Sequence, residues 1–176
     1  VSHDGQSYQN VGTIPTETYP EKNVALAQAW RSFTDYNPTN QLYVMATQLG
    51  EVLEIYNLKT GQHIVKYGPG GEPRFKEAHG ESFPNGIKGF VDVQVTDTYI
   101  YAIFDGLSWD ERRKYYEQGK EAPKGGHYIY VFDLKGNPVR KYVLDKNILG
   151  LDIDEERNQA IATCGESDHP LVLIDL

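Results

Sequence analysis

The stretch EIYNLKTGQHIVKY at residues 54–67 decides the fold because it recurs as YVFDLKGNPVRKY at residues 130–142. Each copy runs from an apolar strand through Asn or Asp, Leu, Lys and a glycine into a second strand with basic residues near its end. The glycine supplies the positive φ that a tight hairpin turn needs. Recurrence of one strand–turn–strand phrase predicts a repeated β unit.

Two more strand candidates precede each copy of the phrase, and a third pair precedes a partial copy at residues 173–176. Four antiparallel strands in up-and-down order form the blade of a β-propeller. The three pairs are residues 27–36 with 42–48, 90–95 with 99–104, and 149–154 with 159–163. The sequence therefore predicts an all-β chain of about three four-stranded blades, with an ordinary meander or sandwich as the alternative. Its blade pieces are residues 1–14, 24–67, 89–145 and 148–176.

Composition supports strands and excludes several classes of function. The chain uses 13 tyrosines among its 176 residues, and tyrosine favours strands. Its net charge of −8 argues against nucleic acid and anionic membrane surfaces as partners. The single cysteine, Cys164, excludes an internal disulfide and a multi-cysteine zinc site. The sequence contains no apolar run long enough to span a bilayer.

The long connections of the predicted blades all fall at one end. The turns within the strand pairs and the two Lys–Gly hairpins are short, whereas residues 12–26, 68–88 and 105–126 are long connections. Long loops on a rigid scaffold are where binding usually occurs. The sequence therefore predicts that this end of the propeller carries the functional site.

The insertion at residues 105–126 is predicted to contain a short helix. Ser108 and Glu111 have the spacing of a capping box, and Gly119 is a natural stop. The rings of Trp109, Tyr115 and Tyr116 then lie near the channel mouth, where they either form an aromatic binding lip or pin the insertion onto the blade. The remaining candidate ligand-binding residues on the long connections are Arg74, His79, Asn85, Asp105 and His127.

No sequence pattern identifies a catalytic or metal centre. Residues 167–169 read Ser-Asp-His, but a catalytic triad needs side chains that converge from separate segments. The spacing of His79, Glu81 and Asn85 fits no zinc motif. Carboxylates near the central channel could bind calcium, and the candidates are Asp92, Asp105, Asp152 and Asp154.

The segments YIYVFDLKGNP at residues 128–138 and LGLDID at residues 149–154 resemble the TolB-like six-bladed propeller family. That family occurs mostly in Bacteroidetes, as exported proteins or lipoproteins of unknown function. The resemblance implies the fold and an extracytoplasmic location, in the periplasm or at the cell surface, with a lipid anchor as a further implication. It implies no reaction.

These observations lead to two expectations about function. The first is a non-enzymatic module that binds a protein, peptide or glycan at the long-loop end without a cofactor, and the alternative is a calcium-dependent hydrolase or lactonase. Three blades are half of the six that the resemblance implies. We therefore expect the chain to associate with a second copy, or with a missing N-terminal half that would also carry any lipid anchor, because open blade faces are apolar.

Overall fold

The computed structural model describes residues 7–8, 10–19, 23–165 and 168–176. Its strands form two four-stranded antiparallel sheets, one three-stranded sheet and one two-stranded hairpin. Blade 1 consists of β1 (Ser32–Asn37), β2 (Leu42–Thr47), β3 (Val52–Asn57) and β4 (His63–Tyr67). The hairpin consists of β5 (Phe75–Ala78) and β6 (Glu81–Pro84). Blade 2 consists of β7 (Phe90–Val95), β8 (Tyr99–Phe104), β9 (Gly126–Asp133) and β10 (Pro138–Ile148), and blade 3 of β11 (Gly150–Asp154), β12 (Gln159–Thr163) and β13 (Leu171–Asp175).

The two copies of the repeated phrase form equivalent hairpins, β3–β4 and β9–β10. Asn57 Oδ1 accepts from the backbone N–H groups of Lys59 and Thr60, and Asp133 Oδ1 accepts in the same way from Lys135. Gly61 has φ of 74° and Gly136 has φ of 75°, the left-handed conformation that glycine adopts most easily. The Asn/Asp and glycine of the phrase therefore fix both turns, as the sequence predicts.

The core lies between the blades. Blade 1 contributes Val44 and Ile55 to a cluster that it shares with Phe90 and Ile100 of blade 2. Blades 2 and 3 share a second cluster, in which Ile103 and Ile129 pack with Ala162. Full burial of such a large aliphatic or aromatic side chain contributes about 1.5–3 kcal/mol to folding. Blade 2 is therefore held by apolar contact on both of its faces, to blade 1 on one side and to blade 3 on the other.

The innermost strands β1, β7 and β11 lie side by side, and side chains from one blade hydrogen-bond to the edge of the next. Asp35 Oδ2 accepts from Val95 N of β7 at 2.8 Å. Asp92 Oδ2 accepts from Leu151 N at 3.0 Å, and Gln94 Oε1 accepts from the next edge amide of β11, Ile153 N, at 2.7 Å. These bonds satisfy backbone donors that have no partner strand, so they fix the relative register of the blades.

Several sequence expectations need correction. The predicted strand at residues 27–36 begins only at Ser32, because Asn23–Ala29 forms a helix, α1, that buries Ala25, Leu26 and Ala29. Its alanines and leucine are strong helix formers. The connection at residues 68–88 contains the β5–β6 hairpin rather than irregular loop alone. Of the predicted blade piece at residues 1–14, residues 1–6 and 9 lie outside the described residues.

The long connections that the structure describes, β4–β7 and β8–β9, lie at the end of the blades where β1 and β7 begin, which we call the long-loop end. Not every connection at this end is long. Residues 48–51 join β2 to β3, and Leu149 alone joins β10 to β11, because β10 continues to Ile148. The length at this end is therefore concentrated beside blades 1 and 2.

Candidate functional site

A cavity of about 560 Å³ opens at the long-loop end, beside the first residues of β1 and β7. We call it the mouth cavity, and its wall includes Arg31, Phe33, Gln48, Lys88, Phe90 and Trp109. These residues come from segments that are far apart in sequence, from the region after α1 to the insertion in blade 2. The volume lies within the range of small-molecule and peptide-side-chain sites.

Three extended segments lie side by side along one wall of the mouth cavity. Gly89 N donates to Gln48 O at 2.9 Å, which joins the β2–β3 connection to the segment before β7. On its other side, that segment pairs with the insertion, since Lys88 N donates to Leu107 O at 2.9 Å and Trp109 N donates to Gly86 O at 3.0 Å. The backbone therefore holds the wall in place without help from a ligand.

Helix α2 (Trp109–Glu117) positions the indole of Trp109 at the cavity. Ser108 Oγ accepts from Glu111 N at 3.1 Å, and Glu111 Oε2 accepts from Ser108 N at 2.8 Å, so the predicted capping box is confirmed. The bond from Ser108 N, together with one that Ser108 Oγ donates to Glu111 Oε2 at 2.7 Å, lowers the pKa of the Glu111 carboxyl. The helix ends at Glu117 with Gln118 as its C-cap, and Gly119 follows with φ of 69°, as expected for a glycine stop.

A buried ion pair fastens α2 to blade 2. Asp105, which directly follows β8, is 2% exposed, and its Oδ2 accepts from the Arg112 guanidinium. Lys88 Nζ lies 3.4 Å from the same oxygen, while Leu107 N donates to Oδ1 at 3.0 Å. Burial raises the pKa of the Asp105 carboxyl, and the Leu107 amide and the two cations oppose that rise. Asp105 is thus placed in the scaffold behind the cavity wall.

Charge and polarity are unevenly distributed around the mouth cavity. The floor is apolar, and Phe90 in it is 1% exposed. The rim carries two cations, Arg31 and Lys88, and one exposed carboxylate, Glu81. Among the charged residues that line the cavity, cations therefore outnumber carboxylates by two to one, although the whole chain carries a net charge of −8. Such a site favours a ligand with an apolar part and a negative or polar group.

The β5–β6 hairpin separates the mouth cavity from a second one. This outer cavity of about 620 Å³ has Tyr19, Trp30, Arg74 and Asn85 in its wall. Arg74 and Asn85 are thus brought together, and Asn85 N donates to Arg74 O at 3.1 Å. The structure places these two candidate residues at the long-loop end but on the other side of the hairpin from Trp109.

His79, Glu81 and Asn85 do not converge on one point. His79 lies at the tip of the hairpin with φ of 55°, Glu81 lines the mouth cavity, and Asn85 lines the outer cavity. The side chain of Gln28 in α1 accepts from Ser82 N at 3.0 Å and so holds β6 against the helix.

The remaining aromatic candidates lie outside the wall of the mouth cavity. Tyr116 is 61% exposed on α2, and Tyr115 is half-buried. His127 lies at the start of β9, where its ring is 3.8 Å from that of Tyr128, centroid to centroid. Of the three rings predicted to form an aromatic lip, Trp109 alone lines the cavity, and the two tyrosines lie farther along the helix.

The carboxylates that could bind calcium each have protein partners. Asp92 accepts from Leu151 N, Asp152 accepts from Gln94 Nε2 at 2.9 Å, and Asp154 pairs with Arg157 at 2.6 Å. Among the residues that the structure describes, no three His, Cys, Asp or Glu side chains are grouped to hold a metal ion. Calcium binding by these residues stays a prediction.

The one cysteine is buried after β12. Cys164 is 3% exposed, as is typical of a structural cysteine that packs as a small apolar side chain. Ser167 of the Ser-Asp-His run lies outside the described residues.

A third cavity, of about 360 Å³, lies on the face of blade 1 that points away from blade 2. Residues 11–14 cover it, and the buried carboxylate of Glu54 lies in its wall. Glu54 Oε2 accepts from Tyr56 Oη at 3.0 Å and lies 3.0 Å from His63 Nε2. Burial and the neighbouring Glu54 charge raise the pKa of Tyr56. This polar cluster lies away from the long-loop end.

Most residues of the mouth cavity were missed by sequence reasoning. Arg31, Phe33, Gln48, Lys88 and Phe90 carry no motif, because they come together only through the pairing of blades 1 and 2. The sequence did contain one signal for this cavity. Arg31 lies directly before the innermost strand β1, and Lys88 lies two residues before the innermost strand β7.

Comparison with protein families gives one match. The model of the TolB-like 6-blade propeller-like family matches residues 1–156, which confirms the resemblance inferred from residues 128–138 and 149–154. Proteins of that family are typically extracytoplasmic. The search of curated proteins found no match to the chain. In the part of the chain that the structure describes, no helix has the length and apolar character needed to cross a membrane.

Proposed function

Because the chain belongs to the TolB-like 6-blade propeller-like family, we propose that it is a non-enzymatic module that binds a protein, peptide or glycan at the mouth cavity. The observation that carries the proposal is the cavity itself, which unites an apolar floor, two cations and the Trp109 indole at the end where the long connections lie. Trp and Arg are the side chains that most often dominate binding energy at interfaces.

The polar groups behind the cavity support binding rather than proton transfer. Asp105 is held by Arg112, and Gln28 holds Ser82 N. Groups fixed in this way give the cavity a preformed shape, which lowers the entropy that a ligand must lose on binding. We propose that the protein acts in the periplasm or at the cell surface, in line with its family. A lipid anchor stays a prediction of the family resemblance.

A second copy of the chain is our proposed partner for the open face of blade 3. Ile161 and Leu173 face each other on β12 and β13, and with Leu171 they are 46%, 69% and 65% exposed on the face turned away from blade 2. Apolar side chains grouped on a strand face typically mark an interaction surface. The chain forms three blades and the family model describes six, so two copies together supply that number.

Ligand selection tests the binding proposal. A random peptide display library and a glycan array are screened with the wild-type protein and with Trp109→Ala. We expect ligands captured by the wild type to bind the variant about thirtyfold or more weakly, as for an aromatic hot spot.

Tyr36→Ala is the matched control, because Tyr36 is an aromatic residue, 44% exposed, near the opposite end of β1. Its removal should leave the affinity of the same ligands unchanged. Equal weakening by both substitutions, or no weakening by Trp109→Ala, would contradict binding at the mouth cavity.

A further inference from the structure

We propose that the ligand of the mouth cavity is an apolar carboxylate, with its negative group held between Arg31 and Lys88 and its apolar part on the floor. This inference rests on the proposed function and specifies the chemistry of the same site. The class includes the C-terminal residue of a peptide or protein and free aromatic or aliphatic acids. Both sources present a carboxylate joined to an apolar group.

The first support is the state of the two cations. Arg31 is exposed, and its Nε donates to Gln28 O at 3.3 Å. Because this acceptor is a neutral backbone carbonyl, the contact does not neutralise the charge of the guanidinium. Lys88 shares Asp105 with Arg112, and at 3.4 Å it is the more distant of the two cations; its side chain is 30% exposed. Arg31 can therefore turn toward an anion without breaking an ion pair, and Lys88 gives up only the longer contact to Asp105, which keeps Arg112 as its partner.

The second support is the contrast between rim and floor. Phe33, Phe90, Val91 and Leu149 all line the cavity; Leu149 is 41% exposed and Phe33 is half-buried, whereas Phe90 and Val91 are buried. A purely charged ligand would leave Leu149 and the open part of Phe33 in water, and a purely apolar ligand would cover the cations without giving them a partner, which is costly. A molecule that carries both parts satisfies both regions at once.

The third support is the sign of the charges that line the cavity, compared with the net charge of the whole chain. The chain as a whole is strongly acidic, so an anion is repelled by most of its surface. Of the charged residues that line the mouth cavity, two are cations, Arg31 and Lys88, and one is a carboxylate, Glu81. Cations kept at one cavity of an acidic protein favour an anionic group at that place.

The test uses two probes that differ only in charge, acetyl-Gly-Phe with a free carboxylate and the same compound with a C-terminal amide. The chain has two tryptophans, so an NMR spectrum of the ¹⁵N-labelled protein shows two indole N–H signals, and Trp109→Phe assigns the one in the cavity. We expect the carboxylate to shift the Trp109 signal and to bind at least tenfold more tightly than the amide.

Equal affinities would overturn the inference while leaving the binding proposal intact, because the Trp109 signal would still report occupancy of the cavity. No shift with either probe would also overturn the inference, and the selection with Trp109→Ala then judges the binding proposal separately.

Charge variants complete the test. Arg31→Gln and Lys88→Gln should each weaken carboxylate binding at least fivefold and leave amide binding unchanged. Lys76→Gln removes the same charge from β5 outside the cavity wall and should change neither. Loss of carboxylate binding in Lys76→Gln equal to that in Arg31→Gln would show a general charge effect and would overturn the inference.

Two further probes identify the source of the carboxylate. Stronger binding of acetyl-Gly-Phe than of 3-phenylpropionate supports a chain terminus as the source, and the reverse order supports a free acid; both outcomes support an apolar carboxylate. Glucuronate carries its carboxylate on a polar body. Tighter binding of glucuronate than of both apolar acids would overturn the inference in favour of an acidic glycan.

Discussion

The Asp105 carboxylate and the Arg112 guanidinium form a buried ion pair that joins the end of β8 to helix α2, with side chains 1% and 8% exposed. Arg112 also donates from Nη1 to Pro123 O at 3.2 Å, so one side chain connects the start, the middle and the end of the insertion. The position of Trp109 at the mouth cavity depends on this connection, because Trp109 is the first residue of the helix.

We expect Asp105→Asn to destabilise the protein, because it leaves the Arg112 charge buried without its closest counter-ion. Removing one partner of a buried pair costs about 3–5 kcal/mol of unfolding free energy. Denaturation in urea measures the loss. Asp110→Asn is the control, since Asp110 pairs with Arg113 at 3.0 Å on the surface and its loss should cost less than about 1 kcal/mol. Similar losses for the two variants would contradict the role of the buried pair.

Gly89 allows blades 1 and 2 to approach closely beside the mouth cavity. A Cβ at this position would lie 2.2 Å from Gly50 O and 2.6 Å from Thr47 O, both of them backbone atoms of blade 1 and its connection. We expect Gly89→Ala to lower the free energy of unfolding by about 1–3 kcal/mol, as overpacking does. Gly150 precedes Leu151 in blade 3 as Gly89 precedes Phe90, but its nearest contact would be Thr163 Oγ1 at 3.2 Å.

Gly150→Ala therefore serves as the matched control for Gly89→Ala, with an expected change below about 1 kcal/mol. Urea denaturation of both variants decides the comparison. A Gly89→Ala protein as stable as the wild type would show that the two blades can separate there without loss.

Stability at alkaline pH should depend on tyrosines with raised pKa values, and Tyr101 and Tyr130 of blade 2 contribute to it together with Tyr56 of blade 1. Burial raises the pKa of Tyr101 and of Tyr130 to about 12 each, whereas a tyrosine in an unfolded chain ionises near 10. Between these values the folded protein keeps protons that the unfolded chain has lost, so the free energy of unfolding falls as pH rises from about 10 to about 12. Urea midpoints measured across this interval test the expectation.

Tyr101→Phe provides the control for the alkaline transition. It removes one of the hydroxyls with a raised pKa and keeps the buried ring, so the decline of the urea midpoint with pH should become shallower. A wild-type midpoint that stays constant between pH 10 and 12 would refute the assignment of raised pKa values to these residues.

Self-association should depend on the open face of blade 3. Sedimentation equilibrium of the wild-type chain should give twice the chain mass of 19.9 kDa, and Leu173→Asp should give the monomer because a carboxylate would have to be buried in the contact. Leu58→Asp places the same charge at an equally apolar site, 52% exposed at the β3–β4 turn, and should remain a dimer. A monomeric wild type at 100 µM would exclude a second copy as the partner of this face.

The repeated phrase made the blades predictable because its signals are local. Asn57, Gly61, Asp133 and Gly136 act within their own hairpins, and the capping box of Ser108 acts within one helical turn. Local chemistry of this kind can be identified in a single segment.

The elements around the site were harder to predict. The last three residues of helix α1, residues 27–29, were included in a predicted strand because its apolar residues continue into those of β1. The β5–β6 hairpin turns at His79–Gly80 rather than at the usual Asn-Gly or Asp-Gly. The mouth cavity combines Arg31 with Lys88 and Trp109 through contacts between blades, which no periodicity within one segment reveals.

Asp35 and Gln94 accept hydrogen bonds from the inner strands β7 and β11, and these bonds affect how the protein behaves at high concentration. A free strand edge is a template on which another molecule can add a strand and begin to aggregate. Asp35 of blade 1 already accepts the hydrogen bond from Val95 N of β7, and Gln94 of blade 2 accepts the one from Ile153 N of β11. Blades 1 and 2 thereby each block the inner edge of the blade that follows against strand addition, so the contacts that align the blades also protect these two edges from aggregation.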